Sequence, residues 1–307
     1  MGFARKLLLA ATVMSLAATP ALADNGGGGG GGGAPSSAPS GKNIDPAKRY
    51  TEGVALLQAK DYKKAEKAFD DVLDVVARDP NSNYMMSLAL IGQADFKDAR
   101  KYLRNTVKYD KNHIQGRGWL GAVEAKLGDA AKASEQKAAL AEMKTACAGA
   151  CPDAAKIDAA LAQIDAAVAA PDAPMALSGD LTRFASAKDG DAAYLVASSL
   201  INEGRYADAL HSLRAAGLAL GPHADVLTYQ GFANRKLGNY DVAIGYYSAA
   251  LNLAPDHRGA NEYLGEYYVE TGQMAKAKAQ LVKLDKICAF GCEQAEELRR
   301  WIEGARS

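Results

Sequence analysis

Residues 227–255 read LTYQGFANRKLGNYDVAIGYYSAALNLAP, and the pattern of this segment is repeated along the chain. The pair Gly238-Asn239 separates two runs rich in apolar residues, which is typical of a tight turn between two helices. Gly231 lies in the first run and Ala243 in the second. Because both residues lack bulk, the two helix backbones are able to approach closely at these positions. The stretch therefore predicts a helical hairpin.

The same hairpin pattern occurs six times along the chain. In each half of the sequence an alanine that follows a turn recurs every 34 residues, and another small residue stands twelve residues before it. The alanines are Ala65, Ala99, Ala133, Ala209, Ala243 and Ala277. The earlier small residues are Gly53, Ser87, Gly121, Ala197, Gly231 and Gly265. One hairpin cannot bury its apolar faces alone, so this period predicts hairpins that stack into a superhelix.

These repeats resemble the tetratricopeptide repeat (TPR), and the copy at residues 227–255 matches the family pattern at nearly every signature position. The resemblance implies an all-α fold with two three-repeat TPR-like α-solenoid units, each with a C-terminal capping helix. Two copies depart from the pattern. The first carries three extra residues before Pro80, and the third has Lys137 where a bulky apolar residue is usual. We therefore expect the second helix of the third copy to be shifted or solvated.

The two halves of the chain are duplicates with related tails. Each tail contains a Cys-x3-Cys sequence and then an apolar stripe, formed by Ile157, Leu161, Ile164 and Val168 or by Leu298, Trp301 and Ile302. A stack needs a terminal helix to cover its last repeat. We therefore expect the first unit with its cap over residues 44–170, a linker over 171–189 and the second unit with its cap over 190–304.

The N-terminal segment predicts an exported protein. Residues 1–23 begin with Arg5 and Lys6, continue with an apolar stretch and end in a small-residue cleavage site, which is typical of a secretory signal peptide. A retained N-terminal anchor is the alternative. We expect residues 24–43, rich in Gly, Pro and Ser, to be a disordered spacer. The protein is then periplasmic or otherwise secreted, with no membrane insertion after signal removal.

The charge balance argues against one class of partner. Lys+Arg and Asp+Glu each number 36, so the formal net charge is 0. Proteins that bind nucleic acid usually carry a basic excess. We therefore expect no nucleic-acid partner.

All four cysteines occur in Cys-x3-Cys pairs, Cys147 with Cys151 and Cys288 with Cys292. Disulfides are the expected state in an exported chain. On a regular helix, Cβ atoms four residues apart lie about 5–6 Å from one another, whereas a disulfide requires roughly 3.5–4.5 Å. We therefore expect the helix to break within each pair, at Gly149 and Gly291. Metal binding and redox catalysis remain as alternatives.

The four histidines do not form a visible catalytic set. His113, His223 and His257 each occupy the last position of their repeats, so we expect a turn or capping role for them. His211 lies on a predicted second helix. Because no nucleophile motif accompanies these residues, the sequence favours a protein that is not an enzyme and uses no cofactor.

In the TPR family the first helices of successive repeats line a concave groove that takes extended peptides or partner helices. The resemblance places in a first groove Tyr50, Val54, Asn81, Tyr84, Met85, Leu88, Gln115, Trp119 and Ala122. It places in a second groove Tyr194, Ser198, Asn202, Tyr229, Phe232, Glu262, Tyr263, Glu266 and Glu270. The first set is apolar and aromatic, whereas the second is aromatic with an acidic end. The family's clamp for terminal carboxylates is not matched in the second set, which disfavours such a ligand there.

These features together predict an exported, non-catalytic scaffold that binds protein or peptide partners through two concave grooves. The alternative from a different class is an accessory thiol/disulfide or metal-binding envelope protein that uses the two Cys-x3-Cys pairs. Self-association of an envelope protein is a third reading.

Overall fold

The computed structural model describes residues 44–146, 153–175, 177 and 186–305. Within these residues the chain forms fourteen α-helices and no strand, which confirms the all-α prediction. The helices are α1 (Pro46–Gln58), α2 (Tyr62–Leu73), α3 (Pro80–Gly92), α4 (Phe96–Tyr109), α5 (Ile114–Lys126), α6 (Ala130–Ala146), α7 (Ala154–Ala169), α8 (Ala187–Asn202), α9 (Tyr206–Leu220), α10 (Ala224–Lys236), α11 (Tyr240–Leu253), α12 (Arg258–Glu270), α13 (Met274–Ile287) and α14 (Glu293–Gly304). None of the helices in the described ranges is both long and apolar enough to cross a membrane. The predicted signal peptide and spacer lie outside these ranges.

The helices pair in chain order into six hairpins, and one further helix follows each group of three. We call α1–α7 the first half and α8–α14 the second half. The further helices act as caps, because α7 packs on α5 and α6 while α14 packs on α12 and α13. Helix α6 is the most solvated second helix of the first half, since it buries only Ala133 and Leu140. Lys137, which stands where a bulky apolar residue is usual, lies on this helix. Its ammonium group is 2.5 Å from a carboxylate oxygen of Asp165 in α7.

The recurrent small residues are contact points between helices. All six recurrent alanines are 0% exposed. A Cβ atom added at Gly231 would lie 2.6 Å from the ring of Tyr247 on the second helix of the same hairpin. In the first hairpin, a Cβ atom at Gly53 would lie 2.7 Å from the ring of Phe69. In these two hairpins, an aromatic ring of the second helix therefore fills the space beside the glycine.

In the third hairpin of each half, the small residue of the first helix faces the cap. A Cβ atom at Gly121 would lie 2.5 Å from Ile164 of α7. Gly265 is placed in the same way against Leu298 of α14. Each cap thus packs on the first helix of the third hairpin, α5 or α12. It does so at the small residue that contacts the second helix in the hairpins of Gly53 and Gly231.

The turn inside each hairpin requires a left-handed residue. Gly128, Gly204, Gly238 and Gly272 occupy it with φ between 73° and 81°. Lys60 and Ala94 hold the same position in the first two hairpins, with φ of 60° and 61°. This conformation costs a non-glycine residue roughly 1–2 kcal/mol.

Two of the three turn histidines cap helices as predicted. His113 Nδ1 accepts a hydrogen bond from the backbone N–H of Gly116 in α5 at 3.0 Å. His257 Nδ1 accepts one from Ala260 in α12, also at 3.0 Å. His223 lies at the N-cap of α10 but makes no such bond. His223 therefore has the predicted position in the turn, without a capping hydrogen bond from its side chain.

The second cysteine pair interrupts the helices as predicted. Helix α13 ends at Ile287, α14 begins at Glu293 and Gly291 has a φ of 86° between them. The sulfurs of Cys288 and Cys292 lie at bonding distance, with their Cα atoms 5.7 Å apart. The pair thus joins the cap to the preceding helix. Cys147, Cys151 and the break predicted at Gly149 lie outside the described residues.

The described residues of both halves belong to one compact unit. The reason is a shared core, because Tyr50 of α1 and Tyr246 of α11 belong to the same apolar cluster. Helix α8 begins at Ala187, inside the stretch predicted to be linker. A capping box causes this early start, since Ser186 and Asp189 satisfy each other's backbone N–H groups.

Candidate partner-binding grooves

The first predicted groove is buried inside the protein. Its principal side chains, Tyr50, Tyr84, Met85, Leu88 and Trp119, are each at most 3% exposed. Residues of the second half and of the predicted linker share their apolar cluster. In this structure the five side chains are core residues and are not available to a partner, contrary to the expectation of an open first groove.

Part of the cover comes from the predicted linker. Leu177 is 5% exposed and lies in the same apolar cluster, and Met175 packs against that cluster. Met175 and Trp119 line one cavity of about 310 Å³. The ammonium group of Lys126 donates a hydrogen bond to the carbonyl of Ala173 at 2.9 Å, which ties the segment to α5.

Helix α9 contributes a further part of the cover, beside residues of α10 and α11 in the same cluster. The Tyr50 hydroxyl donates a hydrogen bond to the carbonyl of Leu218 at 3.2 Å. A Cβ atom at Gly221 would lie 2.7 Å from the Tyr50 ring. One turn earlier in α9, Arg214 Nε lies 2.8 Å from Oδ2 of Asp110, the C-cap residue of α4. Helix α9 therefore crosses the first half from α1 toward α5.

A hydrogen-bonded contact extends this crossing to the first cap. His211 Nδ1 of α9 lies 2.7 Å from Oδ2 of Asp153, the residue that precedes α7. Burial of Asp153 opposes its ionisation, but hydrogen bonds from His211 and Lys156 outweigh this effect and lower the pKa of Asp153 to about 2. His211, which the sequence left without a role, thus holds α9 against the first half.

The second groove presents a row of aromatic rings on successive first helices. Tyr194 of α8 and Tyr229 of α10 have ring centroids 5.8 Å apart. Phe232 of α10 and Tyr263 of α12 have centroids 4.7 Å apart. All four side chains are half-buried, whereas the predicted groove residue Asn202 is exposed at the end of α8. Burial, then nearby acidic groups, raise the pKa of the Tyr194 and Tyr263 hydroxyls, so both stay neutral hydrogen-bonding groups.

A buried arginine supports the floor of this groove. The Arg235 side chain is 0% exposed and pairs with Glu266 and, at 2.7 Å, with Glu270. Its guanidinium carbon lies 5.4 Å from the centroid of the Phe232 ring and 5.6 Å from that of Trp301. Such geometry allows cation–π attraction with both rings. The predicted groove residue Glu266 is therefore engaged inside the protein.

The remaining predicted groove acid, Glu262, is placed differently. It is 8% exposed and forms no hydrogen bond or ion pair with the residues that the structure describes. Burial, followed by the negative charges of Glu266, Glu297 and Glu293, raises the pKa of Glu262 to about 8. The nearby charge of Arg235 opposes this shift only weakly.

Sequence reasoning missed two members of the second groove. Arg235 lies three residues after Phe232, and this helical spacing places both on one face, so the signal was present. Trp301 was assigned to the apolar stripe of the cap. It is half-buried, and its ring centroid also lies 5.6 Å from the ammonium group of Lys236. The cap therefore contributes to the groove as well as closing the stack.

The structure shows no clustered metal ligands in the part of the chain that it describes. No three His, Cys, Asp or Glu side chains there are arranged to hold a metal ion. His113, His211 and His257 lie in separate contacts with different elements.

Family models described as tetratricopeptide repeat match residues 84–150 and 224–257 of this chain. The matched segments contain α4–α6 and α10–α11 in full, so the repeats predicted there are confirmed. No curated protein matches the chain.

Several solved structures are similar to this chain at low identity. The TPR2AB domain of yeast Sti1, in a complex with pHSP90, is 15% identical with a TM-score of 0.38 over 85% of this chain and 98% of that chain. The TPR protein TTC0263 of Thermus thermophilus is 19% identical with a TM-score of 0.30 over 74% and 99%. MamA 41-end from Desulfovibrio magneticus RS-1 is 16% identical with a TM-score of 0.28 over 80% and 96%. Similarities at this level carry no argument about function, which rests below on the residues of this chain.

Proposed function

We propose that this protein is an exported, non-catalytic scaffold that binds a protein or peptide partner through its second groove. The observation that carries the proposal is the contrast between the two grooves. The first is filled by the chain itself, whereas Tyr194, Tyr229, Phe232 and Tyr263 form a half-buried row along the second.

The chemistry of that row suits a polypeptide ligand. Tyr and Phe rings supply large contact areas at low entropic cost, and aromatic residues are enriched among those that contribute most to binding energy. Arg235 is already neutralised by two carboxylates and fixes Phe232 from below. The rings are thus held in place before a partner arrives, which lowers the entropic cost of binding.

The test is site-specific photo-crosslinking in the source cells. Benzoylphenylalanine replaces Phe232 in one variant and Tyr240 in the control, because Tyr240 is a surface aromatic of α11 with 38% exposure outside the groove. We expect a discrete partner band at position 232 and none at 240. A Tyr229→Ala substitution in the Phe232 variant should abolish the band without changing helicity by circular dichroism. Equal crosslinking at both positions would refute the assignment of the groove.

Export and the state of the cysteines belong to the same proposal. We expect N-terminal sequencing of the cellular protein to begin at Asp24 and to detect it in the envelope or medium fraction. We expect four oxidised cysteines in a thiol assay of the non-reduced, denatured protein. Four free thiols, or stoichiometric zinc in the purified protein, would instead favour an accessory thiol or metal-binding protein.

A further inference from the structure

Glu262 is an exception among the buried carboxylates of the described residues. Each of the other four has a partner: Asp79 accepts from Ser82, Asp110 pairs with Arg214, Glu124 with Arg104 and Glu266 with Arg235. Glu262 is 8% exposed, against 1–9% for these four, and it forms no hydrogen bond or ion pair with the described residues. Burial of a carboxylate normally requires a cation or hydrogen-bond donors, so an unpartnered one needs an explanation.

The groups that face Glu262 leave it without a cation of its own. Glu266 lies on the same helix, and Glu293 and Glu297 approach from α14. Arg235 of α10 is the cation that acts on it, and that guanidinium already pairs with Glu266 and Glu270. The acidic end of the second groove therefore carries an excess of negative groups around one buried carboxylate.

The neighbouring rings favour a long cationic side chain over a bare ion. Tyr263 is the next residue in α12, and its ring contacts that of Phe232. Aromatic faces attract ammonium and guanidinium groups and also cover the methylene stems that carry them. A bare metal ion would instead need several convergent ligands, which the described residues do not form.

We propose that the second groove recognises a basic peptide segment, and that a Lys or Arg side chain of this segment pairs with Glu262 beside Tyr263. The inference rests on the proposed function, because it names the chemistry of the partner for the same groove. A cation at this place would supply the missing partner of the carboxylate and offset the repulsion from Glu266, Glu293 and Glu297.

The experiment uses the purified protein and three fluorescein-labelled pools of eleven-residue peptides with randomised flanks. The central residue is lysine in the first pool, acetyl-lysine in the second and glutamate in the third. Acetyl-lysine keeps the methylene stem and removes the charge. Fluorescence anisotropy at pH 8.5 compares the wild-type protein with Glu262→Gln and with Glu303→Gln, which removes one charge from the exposed face of α14.

We expect the lysine pool to bind the wild-type protein about tenfold more tightly than the acetyl-lysine pool, as for one charge-assisted hydrogen bond. Glu262→Gln should remove this preference, whereas Glu303→Gln should keep it within about twofold. A protonated Glu262 cannot pair with a cation, so lysine affinity should also rise from pH 6.5 to pH 8.5 in the wild type and in Glu303→Gln, but not in Glu262→Gln.

Three results would overturn the inference: no binding of the lysine pool at about 1 mM, equal binding of the acetyl-lysine pool, or an unchanged preference in Glu262→Gln. Binding of CaCl₂ that depends on Glu262, without lysine preference, would replace the peptide by a metal ion. The photo-crosslink at position 232 is independent of these outcomes. A crosslink together with no lysine preference would keep the scaffold and reject the basic partner.

Discussion

The contact between Gly231 and Tyr247 provides the sharpest test of how the hairpins pack. In Gly231→Ala the new Cβ would lie 2.6 Å from the Tyr247 ring, which is closer than carbon atoms pack. Tyr247 is 0% exposed, so its ring has no solvent-filled space to enter. The matched control is Gly245→Ala in α11, where a Cβ would meet nothing within 4 Å.

The two substitutions should change stability in opposite directions. Alanine in place of glycine inside a helix stabilises by about 0.5–1 kcal/mol. Overpacking at a filled site costs about 1–3 kcal/mol. The net effect of Gly231→Ala is thus a loss of up to about 2.5 kcal/mol, whereas Gly245→Ala gains about 0.5–1 kcal/mol. Both variants share the gain from alanine, so they differ by the overpacking cost of about 1–3 kcal/mol. At roughly 2–4 °C per kcal/mol for a chain of this size, the melting temperatures should differ by about 2–12 °C.

Thermal unfolding followed by circular dichroism at 222 nm measures this difference, with urea midpoints as a second measure. Gly231→Ser should lie at or below Gly231→Ala, because it adds further atoms at the same point. If Gly231→Ala unfolded at or above the wild-type temperature, as Gly245→Ala is expected to, the close approach of α10 and α11 would be refuted.

Three further predictions address the turns, the cap and the groove. Ala94→Gly should raise stability by about 0.5–1 kcal/mol in urea titration, because it relieves a left-handed alanine; unchanged stability would contradict the φ of 61°. Cys288→Ser should cost about 2 kcal/mol under oxidising conditions, the chain-entropy value for a loop of about five residues, and nothing under reducing conditions. A cost that persisted with reductant would mean that the thiol acts by packing. Because the pKa of Glu262 rises from 4.5 to about 8 on folding, its ionisation opposes folding, so wild-type stability should fall as pH rises through that interval. Glu262→Gln should remove this fall and be more stable than the wild type at pH 8.5 by about 1–3 kcal/mol. If the urea midpoints of the two proteins changed in parallel with pH, the folded state would not hinder the ionisation of Glu262.

The helical repeat was predictable from the sequence because its signals are local. The spacing of 34 residues between Ala99 and Ala133, the turn glycines and the break at Gly291 each depend on neighbours within one hairpin or one turn. Helix propensity, left-handed turns and small-residue contacts act over such short separations. For this reason the helices, their pairing and the second cysteine break agree with the prediction.

The second groove was predictable in part, for the same reason. The row of Tyr229, Phe232 and Tyr263 follows from the repeat register. The pairing of Arg235 with Glu266, and the isolation of Glu262, depend on charges from three helices that are distant in the sequence. No periodicity of one helix specifies which carboxylate pairs with the buried guanidinium of Arg235.

Local sequence signals were sufficient to predict the repeat unit and the capping helices. Contacts between distant parts of the chain were needed to show that the first set of predicted groove residues is buried and the second only half-buried. The hydrogen bond from Tyr50 to Leu218 joins residues 168 positions apart, and the contact of Asp153 with His211 joins the first cap to α9. These contacts form because burial of the apolar residues of the first groove is favourable, and the linker and helices of the second half of the same chain supply apolar surfaces that cover them. Which groove is buried therefore depends on contacts between the two halves of the chain, and the local sequence pattern of neither half specifies those contacts.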